Sequence, residues 1–308
     1  MTTESSLPAV SRISAPPSVP AQPWPRISLV TAVYNGEDFL EDTILSIFNQ
    51  HYPNLEYIII DDGSTDSTPE IIRKYQSRLA YTARQSNQGL YVALNAGFAR
   101  ATGEIMGWLN ASDMLQVNGL SVVGSVFSAF PQIEWITGRP TRFNTPGLTV
   151  QVWPVPRWSR MRFLAGANKY IQQESTYWRR SLWEKAGSSM STEFRAEGDF
   201  ELWVRFFRHA RLYSVDALIG GYRSHDGALS SSNIERYAAN CDRIVDRELA
   251  TLNGAHLAKF FRRASRFVKP IPKVRGLWNR VFLKSLYSLP AADLPPVIRY
   301  GENSWRLD

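Results

Sequence analysis

The sequence contains almost no cysteine and no long apolar run. Cys241 is the only cysteine among 308 residues, so neither an internal disulfide nor a cysteine-based metal cluster can form, which fits a reducing compartment. No apolar stretch approaches the roughly 18 residues that a membrane-spanning helix requires, and the N-terminus lacks the apolar core of a secretory signal. These absences predict a protein that works in the cytoplasm.

The signature loops of several enzyme classes are missing as well. The sequence has no phosphate loop ending in Gly-Lys-Ser/Thr, no Gly-x-Gly-x-x-Gly fingerprint and no Gly-x-Ser-x-Gly nucleophile elbow. These absences argue against P-loop nucleotide hydrolases, ordinary NAD enzymes and α/β-hydrolases.

The composition does provide a sizeable apolar fraction and an excess of positive charge. Hydrophobic residues make up 44% of the chain and the net charge is +7, which suggests an anionic partner such as a nucleotide, a nucleic acid or an acidic membrane surface. No nucleic-acid recognition module is present, so nucleic acid is not an expected partner. Residues 259–284 are basic, lack acidic residues and include interleaved aromatic ones. This segment either lies on an anionic membrane, on its inner face, or forms solvated helices that pack on the folded domain.

The pattern along the chain predicts three regions. Residues 1–25 are rich in Ser, Pro and Ala and are expected to be a disordered tail. In residues 26–232, apolar runs with strand character alternate with segments of helical spacing, which indicates βαβ units and a mostly parallel sheet. Residues 139–170, within this region, lack periodicity and are expected to be loops. Residues 233–308 are expected to be a helical, basic C-terminal extension.

Polar residues follow three of the predicted strands. Because ligands of open α/β sheets bind beyond the carboxyl ends of the strands, these residues are candidates for a binding cleft. They are Tyr34 after the first strand, Asp61-Asp62-Gly63 after the second, and Asn110 to Asp113 after the fourth. The Asp61 turn is either a helix cap or an acceptor for a nucleobase or ribose. The Asn110 turn is either a cap or a ligand for Mg²⁺ or Mn²⁺.

Two later stretches also allow both a local and a functional interpretation. Asp199 precedes an amphipathic helix and is either its N-cap or a general base at the edge of a cleft. Arg223 and His225 end an extended segment. His225 is either a satisfied residue or a metal ligand, and Arg223 is a candidate phosphate contact.

Taken together, these motifs resemble the family 2 glycosyltransferases, which have the GT-A fold, a Rossmann-like α/β architecture. The resemblance covers roughly residues 26–230. The stretches that carry it are ISLVTAVYNGEDFLEDTILSIFNQHYPNLEYIIIDDGSTDST, NQGLYVALNAGFARATGEIMGWLNASD, RAEGDFELWVRF and YRSH, in that order.

The resemblance implies an inverting enzyme that moves a sugar from a nucleotide-sugar donor to a saccharide or lipid-linked saccharide in polysaccharide synthesis. It implies Asp199 as the catalytic base and Mg²⁺ or Mn²⁺ as the cofactor, held by Asp113 and His225. The residues it places against the donor are Thr31, Ala32, Tyr34, Asp61, Asp62, Gly63, Asn95, Asn110 and Arg223.

One departure from the family pattern affects the metal. The family often has Asp-x-Asp-Asp or Asn-x-Asp-Asp where this chain has Asn110-Ala111-Ser112-Asp113. Only Asp113 keeps a carboxylate, so metal binding is expected to be weakened or altered. The same departure motivates the alternative, a non-catalytic protein that binds nucleotide sugars or carbohydrates.

Overall fold

The computed structural model describes residues 24–166, 170–225, 234–252, 259–260 and 294–308. The expected tail therefore lies outside the described residues except at its end, and so does most of the basic segment 259–284. Trp24 already packs edge-on against the ring of Tyr52, whose hydroxyl donates to the carbonyl of Pro25 at 2.8 Å. The ordered part of the chain thus includes Trp24 and Pro25, which the sequence assigned to the tail.

The chain alternates strands and helices through its first half, as the sequence predicts, and continues with shorter elements. The strands are β1 (Ile27–Val33), β2 (Leu55–Asp61), β3 (Tyr81–Arg84), β4 (Ile105–Trp108), β5 (Met114–Leu115), β6 (Trp135–Thr137), β7 (Thr141–Phe143), β8 (Thr149–Val152), β9 (Thr176–Arg179), β10 (Tyr213–Ser214), β11 (Gly220–Arg223), β12 (Ile298–Gly301) and β13 (Ser304–Leu307). The helices are α1 (Leu40–Phe48), α2 (Thr68–Tyr75), α3 (Leu90–Phe98), α4 (Gly119–Ala129), α5 (Arg160–Leu164), α6 (Arg180–Lys185), α7 (Gly198–Phe206) and α8 (Ile234–Thr251).

The main sheet has seven strands in the order β10-β6-β9-β4-β1-β2-β3. Strand β1 is parallel to both β2 and β4, and β2 is parallel to β3. Strand β9 is antiparallel to β4 and β6. The fold class is therefore confirmed as α/β with a mostly parallel central sheet.

A second sheet lies beyond the carboxyl end of β4. Its four strands have the order β5-β11-β7-β8, with β11 antiparallel to β5 and parallel to β7. This sheet matters for function because it brings Arg223, at the end of β11, next to the turn that follows β4.

Two expectations about secondary structure are wrong. The segment 139–170 contains β7, β8 and α5, because an antiparallel pairing of β7 with β8 satisfies its backbone although the side chains show no clear period. The C-terminus is not helical throughout, since β12 and β13 form a hairpin that continues the sheet through a bridge between Val215 and Ile298. Helix α8 agrees with the predicted helical character, and the division of the chain at residue 232 stays a prediction.

Apolar side chains cover both faces of the main sheet. In β2, Ile58 and Ile60 join one hydrophobic cluster while Tyr57 and Ile59 join the other, as the two-residue period of a strand requires. Helices α3, α7 and α8 cover the first face, and α1, α2 and α4 cover the second. Within the described ranges, no helix combines the length and apolar character needed to cross a membrane.

Helix α7 is anchored by a stack of tryptophans. Trp203 lies between Trp108 of β4 and Trp135 of β6, with ring centroids 5.6 and 5.5 Å away. Each such aromatic pair contributes about 0.5–1.5 kcal/mol beyond its area burial. The stack fixes the N-terminus of α7, which carries Asp199, against the strand whose exit carries Asn110.

Candidate active site

The exits of β1 and β2 form one continuous polar edge. Val33 is paired with Asp61 in the parallel register, and the Asp62 N–H donates to the Val33 carbonyl at 2.7 Å. Beyond the strands, the Asn35 N–H donates to Ser64 Oγ at 2.9 Å, and the Thr65 N–H donates to Asn35 Oδ1 at 2.8 Å. The two loops that were singled out in the sequence therefore lie side by side.

Asp61 has an oxygen that the protein leaves without a hydrogen bond. Its carboxylate is 2% exposed, and Oδ1 accepts from the Ser64 N–H at 2.8 Å. Oδ2 is buried with no hydrogen-bond donor and lies 3.4 Å from Arg84 Nε, a long ion pair with a half-exposed partner. A buried carboxylate oxygen without a donor is costly, so Asp61 is suited to accept a hydrogen bond from a ligand.

Asp62 has a different role from Asp61. Its oxygens accept from the backbone N–H groups of Gln88 and Gly89, at 2.9 and 2.7 Å, and from the side chain of Gln85 at 2.8 Å. These amides lie at the N-terminus of α3, where a carboxylate stabilises the helix. Of the two interpretations of this turn, the helix-capping one describes Asp62.

Gly63 allows the turn between the two loops to close. Its φ is +87°, and a Cβ placed there would lie 2.9 Å from Asn87 N and 3.0 Å from the Gln85 carbonyl oxygen. A larger residue would therefore displace the backbone that caps α3.

The remaining residues predicted to contact a donor differ in how accessible they are. Tyr34 is 48% exposed beyond the end of β1. Thr31 and Ala32 are buried in the sheet, and the Thr31 hydroxyl donates to the Leu109 carbonyl at 2.9 Å. Tyr34 is thus the one of the three whose side chain is open to a ligand.

Asn95 is occupied by a structural contact. Its side-chain amide exchanges two hydrogen bonds with the backbone of Met190, at 2.7 and 3.0 Å. This pair fastens the loop that leads to Asp199 onto α3, so the side chain of Asn95 positions that loop and is not free to bind a donor.

Asp113 lies at the centre of a buried polar network. It is 1% exposed, Oδ1 accepts from the Arg223 N–H at 2.9 Å, and Oδ2 accepts from the Asn110 amide at 3.0 Å. The same amide donates to Gln173 Oε1 at 3.1 Å, and the amide of Gln173 donates to the Trp108 carbonyl. The network ties the exit of β4 to β11 and to the 3-10 turn Gln173–Ser175.

Glu174 completes this network as a second buried acid. Its carboxyl group is hydrogen-bonded to that of Asp113. Burial raises the pKa of Asp113 to about 6, against the opposing effect of the Arg223 and Asn110 donors. Burial and the adjacent Asp113 raise the pKa of Glu174 well above its usual range.

Sequence reasoning missed Gln173 and Glu174. The available signal was a carboxylate between a glutamine and a serine immediately before a buried strand, in the stretch QQESTYW. A buried acid needs a polar partner, but its partner lies about 60 residues away and could not be identified locally.

These residues form a poor site for a divalent cation held by the protein. Both oxygens of Asp113 accept from N–H donors, Asn110 turns its NH₂ group towards it, and Ser112 is neutral. In the part of the chain that the structure describes, no three His, Cys, Asp or Glu side chains are grouped as metal ligands. His225 interacts electrostatically with Asp113, and its ring packs on Phe39 at 4.6 Å. Asn110 Oδ1 is buried without a hydrogen-bond partner, so one neutral oxygen of the network is open to a ligand, and the assignment of a metal to Asp113 and His225 stays a prediction.

Arg223 is buried rather than facing a ligand. Its Nη1 donates to Asp42 Oδ2 at 2.9 Å and to the Thr145 carbonyl at 3.2 Å, and its guanidinium lies 5.0 Å from the centre of the Phe39 ring. With its side chain 1% exposed, Arg223 cannot reach a phosphate as the sequence suggested. Its role is to hold β11 against α1 and to present its N–H to Asp113.

Asp199 lies inside the first turn of α7 and is not its N-cap. The cap position is Glu197, and Asp199 Oδ1 accepts from the Phe200 N–H at 2.7 Å. Burial raises the pKa of Asp199 to about 7; the Phe200 N–H lowers it, and the charge of Glu197 raises it further. The capping interpretation is therefore wrong, and Asp199 is a carboxylate that can exchange a proton near neutral pH.

The surroundings of Asp199 connect it to the other candidate residues. A Cβ on Gly198 would lie 2.6 Å from the ring of Tyr91, so only glycine lets the turn rest on that ring. Tyr91, Tyr237 and Glu174 all interact electrostatically with Asp199. Glu174 thus interacts with both Asp113 and Asp199.

Helix α8 braces the turn that carries Asp199. Asn240 Nδ2 donates to Glu197 Oε1 at 3.0 Å. Arg243 and Arg247 contact Glu193, at 3.2 and 2.7 Å. The helix therefore contributes contacts that support the turn carrying Asp199.

Comparisons with known proteins agree with this architecture. The family model described as "Glycosyl transferase family 2" matches residues 28–217, more than half of the chain. The putative teichuronic acid biosynthesis glycosyltransferase TuaG of Bacillus subtilis is 31% identical over 129 residues, which is 41% of this chain. The chain spans 48% of the length of that relative.

Two solved structures share the fold. S. aureus TarS 1-349 in complex with UDP-GlcNAc has a TM-score of 0.62 at 17% identity, covering 75% of this chain and 69% of the other. The mannosyltransferase PcManGT of Pyrobaculum calidifontis, in complex with GDP-Man and Mn²⁺, has a TM-score of 0.54 at 18% identity, covering 87% and 85%. At these identities the likeness shows the fold alone.

The buried position of Asp113 predicts a large effect on stability. Asp113→Ala leaves the Arg223 N–H and the Asn110 amide without their acceptor, so the free energy of unfolding should fall by about 1–3 kcal/mol. Urea denaturation followed by tryptophan fluorescence measures this change. The matched control is Glu184→Ala, an exposed carboxylate on α6, which should change stability by less than about 0.5 kcal/mol. Equal effects of the two substitutions would show that Asp113 is not the centre of a buried network.

Proposed function

Because this chain belongs to glycosyl transferase family 2, we propose that it transfers a sugar from a nucleotide-sugar donor to a saccharide or lipid-linked saccharide acceptor, with inversion. The observation that carries the proposal is the carboxylate of Asp199, whose pKa is raised to about 7. The product would be a cell-surface polysaccharide. In support, a relative is named for teichuronic acid biosynthesis.

The donor nucleotide would bind at the exits of β1 and β2. Asp61 offers a buried oxygen without a hydrogen-bond donor, which suits a ribose hydroxyl or a base N–H. Tyr34 offers an exposed ring next to it. Two structures of the same fold were solved with UDP-GlcNAc and with GDP-Man. In line with them, we propose a nucleoside diphosphate sugar as the donor.

Asp199 would act as the general base. Its carboxylate takes the proton of the acceptor hydroxyl while that oxygen attacks the anomeric carbon of the donor sugar. The bond from the anomeric carbon to the diphosphate oxygen breaks with its electron pair, so the nucleoside diphosphate leaves and the configuration inverts. A positioned general base contributes about 10²–10⁴-fold, and most when its pKa lies near the working pH.

No step of this mechanism is assigned to a metal. Each carboxylate oxygen of Asp113 already accepts an N–H donor, which makes this residue a weaker ligand for a cation, although a structure of the same fold contains Mn²⁺. We therefore propose that nucleotide binding depends on the β1 and β2 exits and not on a cation held by this chain.

A second candidate function is a protein that binds nucleotide sugars or carbohydrates without turnover. The observation that favours it is the loss of carboxylates at Asn110 and Ser112, with Asp113 committed to the interior. It differs from the main proposal in one outcome: nucleotide binding would be intact while neither transfer nor donor hydrolysis occurs.

We propose that the protein is located in the cytoplasm, at the inner face of the membrane. The support is the basic, aromatic composition of residues 259–284, of which the structure describes only Lys259 and Phe260. Such a segment would bring the site to a lipid-linked acceptor on an anionic surface.

The raised pKa of Asp199 predicts how activity depends on pH. A base works only when deprotonated, so donor turnover should rise with pH through an apparent pKa near 7 and level off above it. Asp199→Asn should lower turnover at the plateau by at least about 100-fold, because it removes proton abstraction. Release of nucleoside diphosphate from a panel of UDP and GDP sugars measures both effects.

Nucleotide binding separates loss of catalysis from loss of folding in this experiment. Asp199→Asn should retain UDP or GDP binding, measured as protection against thermal unfolding. Glu184→Ala on α6 serves as the neutral control. Turnover at the parental rate in Asp199→Asn would show that another group is the base.

The donor set around Asp113 predicts that chelation has little effect on binding. Adding EDTA should change the Kd for UDP or GDP by less than about threefold, or roughly 0.7 kcal/mol, because the nucleotide site that we propose does not use a cation held by this chain. Titration calorimetry with and without EDTA measures the difference. Binding that disappears with EDTA and returns with Mn²⁺ would contradict the geometry of the network.

A further inference from the structure

One exposed aromatic ring lies beside the Asp199 turn without a role in the mechanism above. Tyr170 is 63% exposed, the highest value among the exposed aromatic side chains that the structure describes. The residue after it, Ile171, is buried, and so are Gln173 and Glu174. Tyr170 therefore stands where the chain leaves the surface and enters the polar network of the site.

The ring of Tyr170 is held in place by α8. It stacks on the ring of Tyr237, with centroids 6.1 Å apart and an angle of 30° between the planes. Its hydroxyl also interacts electrostatically with Cys241 and Asp242 on the same helix. One face of Tyr170 is thus supported by a neighbour, and the exposed fraction leaves the rest of the ring for a ligand.

Tyr237 places this aromatic pair next to the proposed base. Tyr237 interacts electrostatically with Asp199 and with Tyr91, the ring on which the Gly198 turn rests. A ligand on the open face of Tyr170 is therefore separated from the Asp199 environment by the two stacked tyrosine rings. The donor nucleotide, by contrast, was assigned to the exits of β1 and β2, where Asp61 lies.

The charges near the pair select the kind of ligand. Glu197 and Asp199 lie on one side, and Asp242 lies on the helix beside Tyr170. These acidic groups disfavour a diphosphate or an anionic lipid headgroup, and Arg243 on the same helix already pairs with Glu193. The setting suits an uncharged ligand with a flat apolar face and hydroxyl donors, which describes a pyranose ring, and tyrosine offers both an apolar face and a polar tip.

We propose that Tyr170, supported by Tyr237, is the platform on which a pyranose ring of an uncharged acceptor saccharide stacks. This inference rests on the proposed function, since it assigns the acceptor side of the same site. Stacking holds one sugar unit of the acceptor beside the Asp199 turn, while another unit reacts, and it needs only the aromatic ring at residue 170, not its hydroxyl.

The test uses ligand-observed NMR with a defined panel of uncharged saccharides. Methyl glucoside, methyl N-acetylglucosaminide, cellotriose and chitotriose are added to the full chain in the presence of UDP. Saturation of the aromatic protons should transfer to the C–H groups of at least one saccharide. Tyr170→Ala should weaken that binding by about three- to tenfold, as expected for loss of an aromatic stack, whereas Tyr170→Phe and Tyr170→Trp should retain it.

The matched control is Tyr300→Ala. Tyr300 is also an exposed tyrosine packed on an aromatic ring, but it lies in the β12–β13 hairpin, and its replacement should leave saccharide binding unchanged. UDP protection against thermal unfolding should be the same in every variant, which separates a lost platform from a lost fold.

The outcomes also separate this inference from the proposed function. Saccharide binding that is equal in Tyr170→Ala and in the parent overturns the platform, and so does UDP binding in the parent with no saccharide of the panel bound. Absence of UDP binding in the parent would instead count against the glycosyltransferase proposal itself. Once an acceptor is known, Tyr170→Ala should raise its KM and leave kcat and the donor KM within twofold.

Discussion

The parallel register of β1 with its two neighbours is the constraint on which the rest of the site depends. Because Val33 is paired with Asp61, and the Leu109 N–H donates to the Val30 carbonyl, the chain leaves three adjacent strands at one edge of the sheet. A parallel sheet covered by helices on both faces leaves that edge as the open place for polar side chains. The Asp61 turn, the Asn110 turn and, through the tryptophan stack, the N-terminus of α7 all derive their positions from this register.

The parts of this arrangement that could be predicted from the sequence are those encoded locally. Strand β2 shows as a branched apolar run that ends in Asp61, and α7 shows as an amphipathic repeat, because each pattern depends only on neighbours a few residues apart. The order of strand exits then follows from the α/β alternation. For the same reason the resemblance could be recognised in contiguous motifs, and the match over residues 28–217 agrees with it.

The roles of individual polar side chains could not be predicted in this way. Asp61 and Asp62 are adjacent and chemically identical, yet one keeps a buried oxygen without a hydrogen bond and the other caps α3. Asp113 depends on the N–H of Arg223, 110 residues away, and its acidic neighbour arrives on the turn before the antiparallel strand β9. Contacts across such separations are set by the packing of the sheet, which no local pattern contains. The contribution of α8 to the Asp199 turn was not predicted, because the contact of Asn240 with Glu197 joins residues 43 positions apart.

The central claim is the proposal that Asp61 binds the nucleotide and that Asp199 acts at the reacting centre of the same site. A crystal structure of the chain with bound UDP examines this directly. The account predicts the nucleoside at the exits of β1 and β2, within hydrogen-bonding distance of Asp61 Oδ2, with the diphosphate directed towards the Asp199 turn. A nucleotide bound elsewhere on the molecule, with Asp61 Oδ2 still lacking a donor, would contradict it.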